Sequence, residues 1–485
     1  MGIIGTDWQD KMYVGGAWRP GSGDTLKVVA PASGEVLGAL ASASPADVDA
    51  AATQAADAQA DWAARTPSER AAVLRRAGHL WEEHAEEIGE WIVKETGAIP
   101  PKAGLETHIA AEECYEASAL PSHPLGDVLA SNEAHWSFAR RRPAGVVTVI
   151  SPFNFPLILS IRSVAPALAL GNAVLLKPDP RTSVSGGVSI VQVLREAGLP
   201  DGVLQLVPGG RETGEAAVAA PEVRVVSFTG STAAGRAVGA LGAQHLKRTH
   251  LELGGNSALV VLPGADVAKA VSAGAFGSFM HQGQVCMTTG RHLVHESLHD
   301  EYVERLGATA DALPVGDPAT SQVALGPIID GSQLAKIDGL VQSSVGSGAR
   351  LVAGGSHEDL FYRPTVLADV DGTMPAWREE IFGPVAPVRT FHTTEEAIAL
   401  ARENDYGLSL GILGDVGEAM TVADAVPSGI VHINEQTVAD EANAPFGGVA
   451  ASGTGSRFGG AQANIEAFTE NQWLTVRAEI APYPF

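Results

Sequence analysis

Four short apolar segments constrain the fold of this chain more than any other feature. Each segment is apolar at consecutive positions, so both faces of the strand that it predicts must be buried. The predicted strands are 146–150, 173–176, 203–207 and 223–228, with helix-like segments between them. This alternation indicates an α/β protein with a doubly wound parallel sheet of the nucleotide-binding type. A second run of α/β units follows from residue 258 to residue 434.

The composition excludes several classes of partner. A chain of 485 residues, 45% of them hydrophobic and 18% charged, is expected to form two or three globular domains. Its formal net charge of −24 argues against binding to nucleic acid or to an anionic membrane. The longest apolar segment, 164–176, is too short to span a bilayer, and the first residues do not resemble a secretory signal. Two cysteines make no disulfide framework, so we expect a soluble cytoplasmic protein.

A glycine-rich turn follows the fourth predicted strand. Gly230 and Gly235 have P-loop spacing, but Arg236 and Ala237 replace the residues that would bind phosphate and Mg²⁺, which excludes such an ATPase. The motif Gly-x-Gly-x-x-Gly is absent after the first predicted strand. A turn that opens a helix still favours an anion, because free amides and the helix dipole point at it. The turn is therefore a candidate site for a pyrophosphate.

Cys286 lies between Gly283 and Gly290. Glycines let the backbone approach a bound molecule closely, and a thiolate is a strong nucleophile towards carbonyl carbon. Such a residue is either a catalytic nucleophile or a buried structural cysteine. The other cysteine, Cys114, lies in a helix-like segment and is interpreted as an ordinary helical residue. We predict no metal site.

Four other segments carry residues that suit thiol chemistry on a carbonyl group. Glu252 lies in the apolar segment Leu-Glu-Leu-Gly-Gly-Asn, where burial would raise its pKa towards that of a useful base. Asn154 follows the first predicted strand, where open α/β sheets bind ligands, and its amide could stabilise an oxyanion. Lys177 ends the second predicted strand, and Glu379 begins the segment Glu-Glu-Ile-Phe-Gly-Pro.

Together and in this order, these segments resemble the NAD(P)-dependent aldehyde dehydrogenase superfamily over nearly the whole chain. The most specific pair is Leu-Glu-Leu-Gly-Gly at Glu252 and Gly-Gln-x-Cys at Cys286, and the interval of 34 residues also matches that family. The resemblance implies that the Cys286 thiolate, after local activation, attacks an aldehyde. The Asn154 amide and the Cys286 backbone N–H would hold the oxyanion. Hydride transfer to the nicotinamide would leave a thioester, which water activated by Glu252 would hydrolyse to the acid.

The resemblance also implies an architecture of three parts. These are a doubly wound cofactor-binding domain, a second α/β catalytic domain and a small β arm for oligomerisation, which together form the aldehyde dehydrogenase fold. Their predicted bounds are 1–119 with 141–252, 253–448, and 120–140 with 468–485. We therefore expect a homodimer or homotetramer. The triplet Arg140–Arg142 is open to two interpretations, a phosphate site or a surface strand or subunit contact, and the second is favoured.

For the cofactor, the resemblance assigns Lys177 to the adenosine ribose, Gly230 and Ser231 to the pyrophosphate, and Glu379 to the nicotinamide ribose. The full predicted set is Ile150, Ser151, Pro152, Lys177, Gly210, Phe228, Gly230, Ser231, Leu253, Glu379 and Phe382. Phe382 is also compatible with core packing.

One departure from the family pattern concerns the choice between NAD and NADP. Pro180 occupies a position where a glutamate commonly accepts the 2′-hydroxyl of NAD and repels the 2′-phosphate of NADP. Arg181 follows it and is a candidate partner for that phosphate. NAD is favoured, and use of both cofactors stays open.

A second departure is His281-Gln282 before Gly-Gln-x-Cys, where an asparagine is common. With the segments 177–182 and 434–443, it resembles the benzaldehyde and vanillin dehydrogenase branch. The resemblance implies an aromatic aldehyde substrate and a pocket formed by Phe155, Leu159, Arg162, Met280, Val285, Met287 and Phe446. Arg162 could contact a ring substituent, but a structural ion pair is favoured.

Three functions other than that of an aromatic aldehyde dehydrogenase are compatible with parts of this pattern. An aliphatic aldehyde or semialdehyde dehydrogenase of the same fold is the alternative. A CoA-acylating enzyme is disfavoured because such enzymes tend to lack the base Glu252. A non-catalytic dinucleotide-binding protein would not need Cys286, Glu252 and Asn154, and all three are present.

Overall fold

The computed structural model describes residues 2–485. The elements before the first of the parallel strands are β1 (Met12–Val14), β2 (Ala17–Arg19), β3 (Thr25–Val29), β4 (Val36–Ala41), α1 (Pro45–Ala64), α2 (Pro67–Glu83), α3 (Ala85–Thr96), α4 (Pro100–Ala119), β5 (Gly126–Leu129) and β6 (Trp136–Pro143). The next are β7 (Val146–Ile150), α5 (Pro156–Ala169), β8 (Ala173–Lys177), α6 (Ser189–Glu196), β9 (Leu204–Leu206), α7 (Arg211–Ala219), β10 (Val223–Thr229), α8 (Thr232–Gln244) and β11 (Arg248–Glu252).

The rest of the chain contains the second sheet, a short hairpin and one strand of a third sheet. Its elements are β12 (Ser257–Val261), α9 (Val267–Phe279), β13 (Thr289–His295), α10 (Glu296–Ala312), α11 (Gly331–Gly346), β14 (Arg350–Ala353), β15 (His357–Glu358), β16 (Phe361–Tyr362), β17 (Thr365–Ala368), α12 (Pro375–Arg378), β18 (Val385–Phe391), α13 (Thr394–Ala401), β19 (Ser409–Leu413), α14 (Val416–Ala425), β20 (Ile430–Ile433), α15 (Ala461–Phe468) and β21 (Thr469–Val476).

The first sheet confirms the predicted doubly wound α/β class. Its seven strands run in the order β11-β10-β7-β8-β9-β1-β2, and β7 to β11 pair in parallel. All five residues of β7 and of β8 are buried, because helices cover both faces. The chain leaves β7 towards β8 and later returns to add β10 on the other side of β7. This reversal of strand order opens a crevice at the carboxyl ends of β7 and β10.

The second sheet also has seven strands, in the order β14-β17-β18-β13-β12-β19-β20. Only β14 pairs antiparallel. Two apolar clusters lie on its faces, one built with α11, α13 and α14 and the other with α9 and α10. The first sheet ends at Glu252 and the second begins at Ser257, so the link between them carries Leu253 and the glycines that follow it.

A third, antiparallel sheet of β21, β6 and β5 takes strands from both segments predicted to form the arm. The triplet Arg140–Arg142 lies on β6, where Arg140 bonds Gln472 and Arg141 pairs with Glu466. These contacts fit the surface-strand interpretation of the triplet. Trp136 and Trp473 leave 66% and 72% of their surface exposed on this sheet.

Helix boundaries follow local capping. The side chain of Ser44 accepts from the amide of Asp47, and Pro45 occupies the first turn of α1. The helix-like segment between the second and third predicted strands includes a π-helical turn, 184–188, before α6. The carboxylate of the buried Glu95 accepts the amides of Val184 and Ser185, the first two residues of this turn.

Every helix within residues 2–485 is too short or too polar to span a bilayer.

Candidate active site

A cleft of about 370 Å³ opens at the carboxyl ends of β7 and β10. The turn that carries Asn154 follows β7, and Gly230 and Ser231 follow β10. The cleft contains twelve of the predicted site residues: Ile150, Ser151, Pro152, Asn154, Leu159, Lys177, Phe228, Gly230, Ser231, Leu253, Cys286 and Phe382. Segments far apart in the sequence therefore meet at one site.

Several cleft residues were not predicted from the sequence: Phe153, Asp179, Thr229, Ala234, Gly254, Gln333, Lys336 and Glu380. Gln333 and Lys336 lie on α11, whose sequence shows only an ordinary helix with a polar face. Gln333 donates to the carbonyl of Phe382 at 3.0 Å, which joins α11 to the loop after α12. No sequence signal identified these two residues.

The structure places Glu379 outside the cleft and the next residue, Glu380, inside it. Glu379 is exposed and lines only the neighbouring groove, whereas Glu380 lines the cleft and accepts the Gly255 amide at 3.0 Å. Helix α12 ends at Arg378 and the backbone at Glu379 is extended, so successive side chains point to opposite sides. Burial raises the pKa of Glu380 to about 7.

The prediction of Gly210 in the cleft is also not supported. Gly210 is exposed at the N-terminal end of α7 and does not line the cleft. Phe382, by contrast, both lines the cleft and packs edge-on against Phe153, with ring centres 5.9 Å apart.

Cys286 lies on a segment held by unusual backbone conformations. His281, Gln282 and Gly283 are all left-handed, with φ of 49°, 56° and 64°. Gln282 donates to the carbonyls of Gly97 and Pro327 at 3.1 and 3.0 Å, and Gln284 accepts the Ile329 amide at 3.0 Å. These long-range bonds explain how three residues in a sparsely populated conformation persist together.

The surroundings of Cys286 do not supply the activation that the sequence led us to expect. Burial raises the pKa of its thiol to about 12, and the nearby carboxylates of Glu380, Glu252 and Asp440 act in the same direction. Arg162 is the one cation that opposes them. The thiol is therefore protonated at neutral pH in the protein alone, because neighbouring negative charge disfavours a thiolate.

Glu252 ends β11 and is only 3% exposed. One carboxylate oxygen, Oε2, accepts the Gly448 amide at 3.3 Å, and the other, Oε1, has no partner among residues 2–485. Burial raises its pKa well above 4.5, and the charges of Arg457 and Arg162 offset only part of that. A buried carboxylate with a free oxygen can accept a proton from water.

Asn154 is 2% exposed and lies in the same cleft as Cys286. Its backbone carbonyl is bonded, but its side-chain amide makes no hydrogen bond within residues 2–485. The amide is therefore a free donor in the cleft.

An apolar cluster adjoins Cys286 away from the polar cleft. It brings together five predicted pocket residues, and adds others that were not predicted. The five are Phe155, Met280, Val285, Met287 and Phe446, and the additions are Leu408, Ile430 and Val438. Leu159, the sixth predicted apolar residue, lies in the cleft itself.

Arg162 forms the ion pair favoured from the sequence. Its guanidinium bonds Glu113 at 2.8 Å and Asp440 at 2.6 Å, and lies 4.9 Å from the ring centre of Phe446. Nη1 is buried without a partner among residues 2–485. The charge is thus satisfied by two carboxylates at the edge of the apolar cluster.

The guanidinium of Arg181, the candidate partner for a 2′-phosphate, is bonded to two carboxylates. It bonds both oxygens of Asp179 at 2.8 Å and Asp330 at 2.6 Å, and stacks 4.2 Å from the ring centre of Phe153. Two carboxylates neutralise the cation that the sequence offered for NADP.

The chain is similar to known proteins over nearly its whole length. The sequence model of the aldehyde dehydrogenase family matches residues 18–474. A vanillin dehydrogenase of Amycolatopsis sp. is 61% identical over 479 residues, which cover 99% of this chain and 98% of that protein. A benzaldehyde dehydrogenase (NAD(+)) of Pseudomonas putida is 46% identical over 480 residues, with 99% and 98% covered. The crystal structure of a salicylaldehyde dehydrogenase from Pseudomonas putida, complexed with salicylaldehyde, matches with a TM-score of 0.94 at 36% identity, covering 98% of this chain and 99% of that one.

Proposed function

The chain belongs to the aldehyde dehydrogenase family, and we propose that it oxidises an aromatic aldehyde to the carboxylic acid with NAD. One observation carries the proposal: Cys286 borders both the polar cleft and the apolar cluster around Phe155 and Phe446. A flat apolar ring suits that cluster. The relatives named vanillin and benzaldehyde dehydrogenase support the same substrate class.

The cleft residues fit a dinucleotide. Helix α8 begins after Gly230 and Ser231, so its first amides face the cleft and suit a pyrophosphate. Lys177 and Glu380 offer partners for ribose hydroxyls. Bound NAD would supply the acceptor of the aldehyde hydride and one positive charge near the thiol.

The chain's own residues account for the remaining chemistry. The Cys286 thiol first loses its proton to water in the cleft, because the thiolate is the nucleophile. The sulfur then forms a bond to the carbonyl carbon, the C=O π electrons move to the oxygen, and the Asn154 amide and the Cys286 backbone N–H hold the resulting oxyanion. After loss of hydride, the carbon remains bound to sulfur as a thioester. Glu252 removes a proton from water as the water attacks that carbon. The C–S bond then breaks, which releases the acid and returns the thiolate.

NAD is the favoured cofactor. The name of the Pseudomonas putida relative supports NAD, and the pairing of Arg181 with Asp179 and Asp330 removes the candidate phosphate partner. Arg181 together with Asp179 and Asp330 carries a formal charge of −1, which disfavours a phosphate beside it.

A second copy of this chain is the expected partner of the three-stranded sheet. Its exposed Val128, Trp136 and Trp473 form apolar surface that a monomer rarely leaves uncovered. Whether the assembly is a dimer or a tetramer stays open.

The two free cysteines support a reducing, cytoplasmic compartment.

Initial rates of NADH and NADPH formation with benzaldehyde, vanillin and hexanal test the proposal. We expect the aromatic aldehydes to give the higher kcat/KM and NAD to exceed NADP. Cys286→Ala should abolish turnover while NAD binding persists, whereas Cys114→Ala, a matched change at the buried cysteine of α4, should retain it. A higher kcat/KM for hexanal would contradict the aromatic assignment, and turnover by the Cys286→Ala variant would contradict the mechanism.

A further inference from the structure

We propose that Lys102 and Glu106 are positioning residues that fix the Asn154 turn, residues 154–158, and so aim the Asn154 amide at the oxyanion. The inference rests on the proposed function, because it concerns the oxyanion donor of that reaction. Both residues lie on α4, four positions apart and therefore on one face of the helix. Neither was predicted from the sequence to belong to the site.

Lys102 is 3% exposed, and its ammonium group has three interactions. Its Nζ donates to the backbone carbonyl of Asn154 at 2.7 Å and pairs with the carboxylate of Glu106. It also lies 4.2 Å from the ring centre of Phe155, a cation–π contact. Two successive residues of the turn are thus held by one buried cation.

Glu106 is fully buried and holds the other half of the turn. Its Oε2 accepts the amides of Leu157 at 3.1 Å and Ile158 at 3.4 Å. Helix α5 has no side-chain cap of its own at Phe155, and Pro156 has no amide hydrogen. The carboxylate from α4 therefore caps α5 in place of a local residue.

The combined contacts restrain the turn at a carbonyl, a ring and two amides within five residues. Asn154, at the start of this turn, carries the free side-chain donor. An oxyanion donor works only when it is held near the place where charge develops, and small displacements reduce the rate strongly. An apolar pair could pack α4 against α5, but it could not hold these four groups.

Removal of Lys102 alone leaves a buried carboxylate without a counter-ion and threatens folding. The test therefore uses the double variant Lys102→Met with Glu106→Gln, which is neutral and keeps an oxygen to cap α5. Circular dichroism and NAD affinity establish that the variant is folded and binds the cofactor. The readout is the pre-steady-state burst of NADH with vanillin. We expect the burst rate to fall about 10-fold to 100-fold, and a deuterated aldehyde to give an isotope effect on kcat.

A matched experiment in the Asn154→Ala background separates positioning from a general structural effect. If the pair acts through Asn154, the double substitution should cause no further loss of burst rate in that background. An unchanged burst in the folded double variant, or an equal loss in both backgrounds, would overturn the inference while leaving the proposed function intact. A normal burst in Asn154→Ala itself would instead refute the oxyanion role.

Discussion

Glu106 and Glu252 are two buried carboxylates, with exposures of 0% and 3%. Burial raises the pKa of both. Glu106 is saturated by the ammonium of Lys102 and by two backbone amides. Glu252 has one amide donor at 3.3 Å and a second oxygen without a partner in residues 2–485. The difference lies in the partners and not in the burial.

The number of hydrogen-bond partners, and not the degree of burial, distinguishes a structural acid from a reactive one. A buried polar group that is fully bonded contributes geometry, whereas one left unsatisfied destabilises the fold and persists where chemistry needs it. Substitutions at the two positions should therefore have opposite signatures, in rate at Glu252 and in stability at Glu106.

The largest expected effect is on turnover. Glu252→Gln removes the base but keeps the size and one amide contact, so kcat should fall by about 10²-fold to 10⁴-fold. The NADH burst should persist, because the base acts after hydride transfer. Steady-state and stopped-flow rates with vanillin measure both. Glu358→Gln, on the exposed hairpin strand β15, is the matched control and should leave both rates unchanged.

Glu106→Gln should instead reduce stability. It leaves the buried ammonium of Lys102 without a counter-ion, a change that typically destabilises by about 3–5 kcal/mol. Urea unfolding followed by fluorescence measures the loss, with Glu252→Gln as the comparison that should lose little or gain. If Glu252→Gln were the less stable of the two variants, the assignment of the structural and reactive roles would be reversed.

The smallest effect is on the pH dependence of stability. Because the folded pKa of Glu252 is raised above 4.5, its protonation favours the folded state at low pH. That contribution is lost as the pH rises from about 4.5 through the folded pKa. Glu252→Gln should remove this loss, so the Tm of the variant relative to the native protein should increase with pH. The kcat of the native protein should rise over the same range; a Tm difference independent of pH would contradict the raised pKa.

Much of the fold could be predicted from the sequence because its signals are local. The apolar strands and the capping residues of α1 are set by side chains within a few positions. Cys286 and Asn154 line one cleft because each follows an element whose place is fixed by its pattern, and Glu252 ends β11, the strand beside β10.

Other features of the site could not be predicted, because they depend on tertiary contacts or on the exact side that a side chain faces. Arg181 is neutralised by Asp330, 149 positions away, so its charge could not be judged from its neighbours. Glu379 was chosen over Glu380 because a shift of one residue in extended backbone reverses the side that a side chain faces. Lys102 and Glu106 have the spacing of an ordinary surface ion pair, and only the packing of α4 against α5 buries them.

We propose that Glu252 is the reactive carboxylate, which activates the water that hydrolyses the thioester on Cys286. The most direct measurement is mass spectrometry of Glu252→Gln after incubation with NAD and vanillin. We expect an acyl group, the oxidised substrate, to accumulate on the peptide that contains Cys286, while the Cys114 peptide stays unmodified. Rapid turnover with no acyl group on Cys286 would contradict the role of Glu252 in thioester hydrolysis.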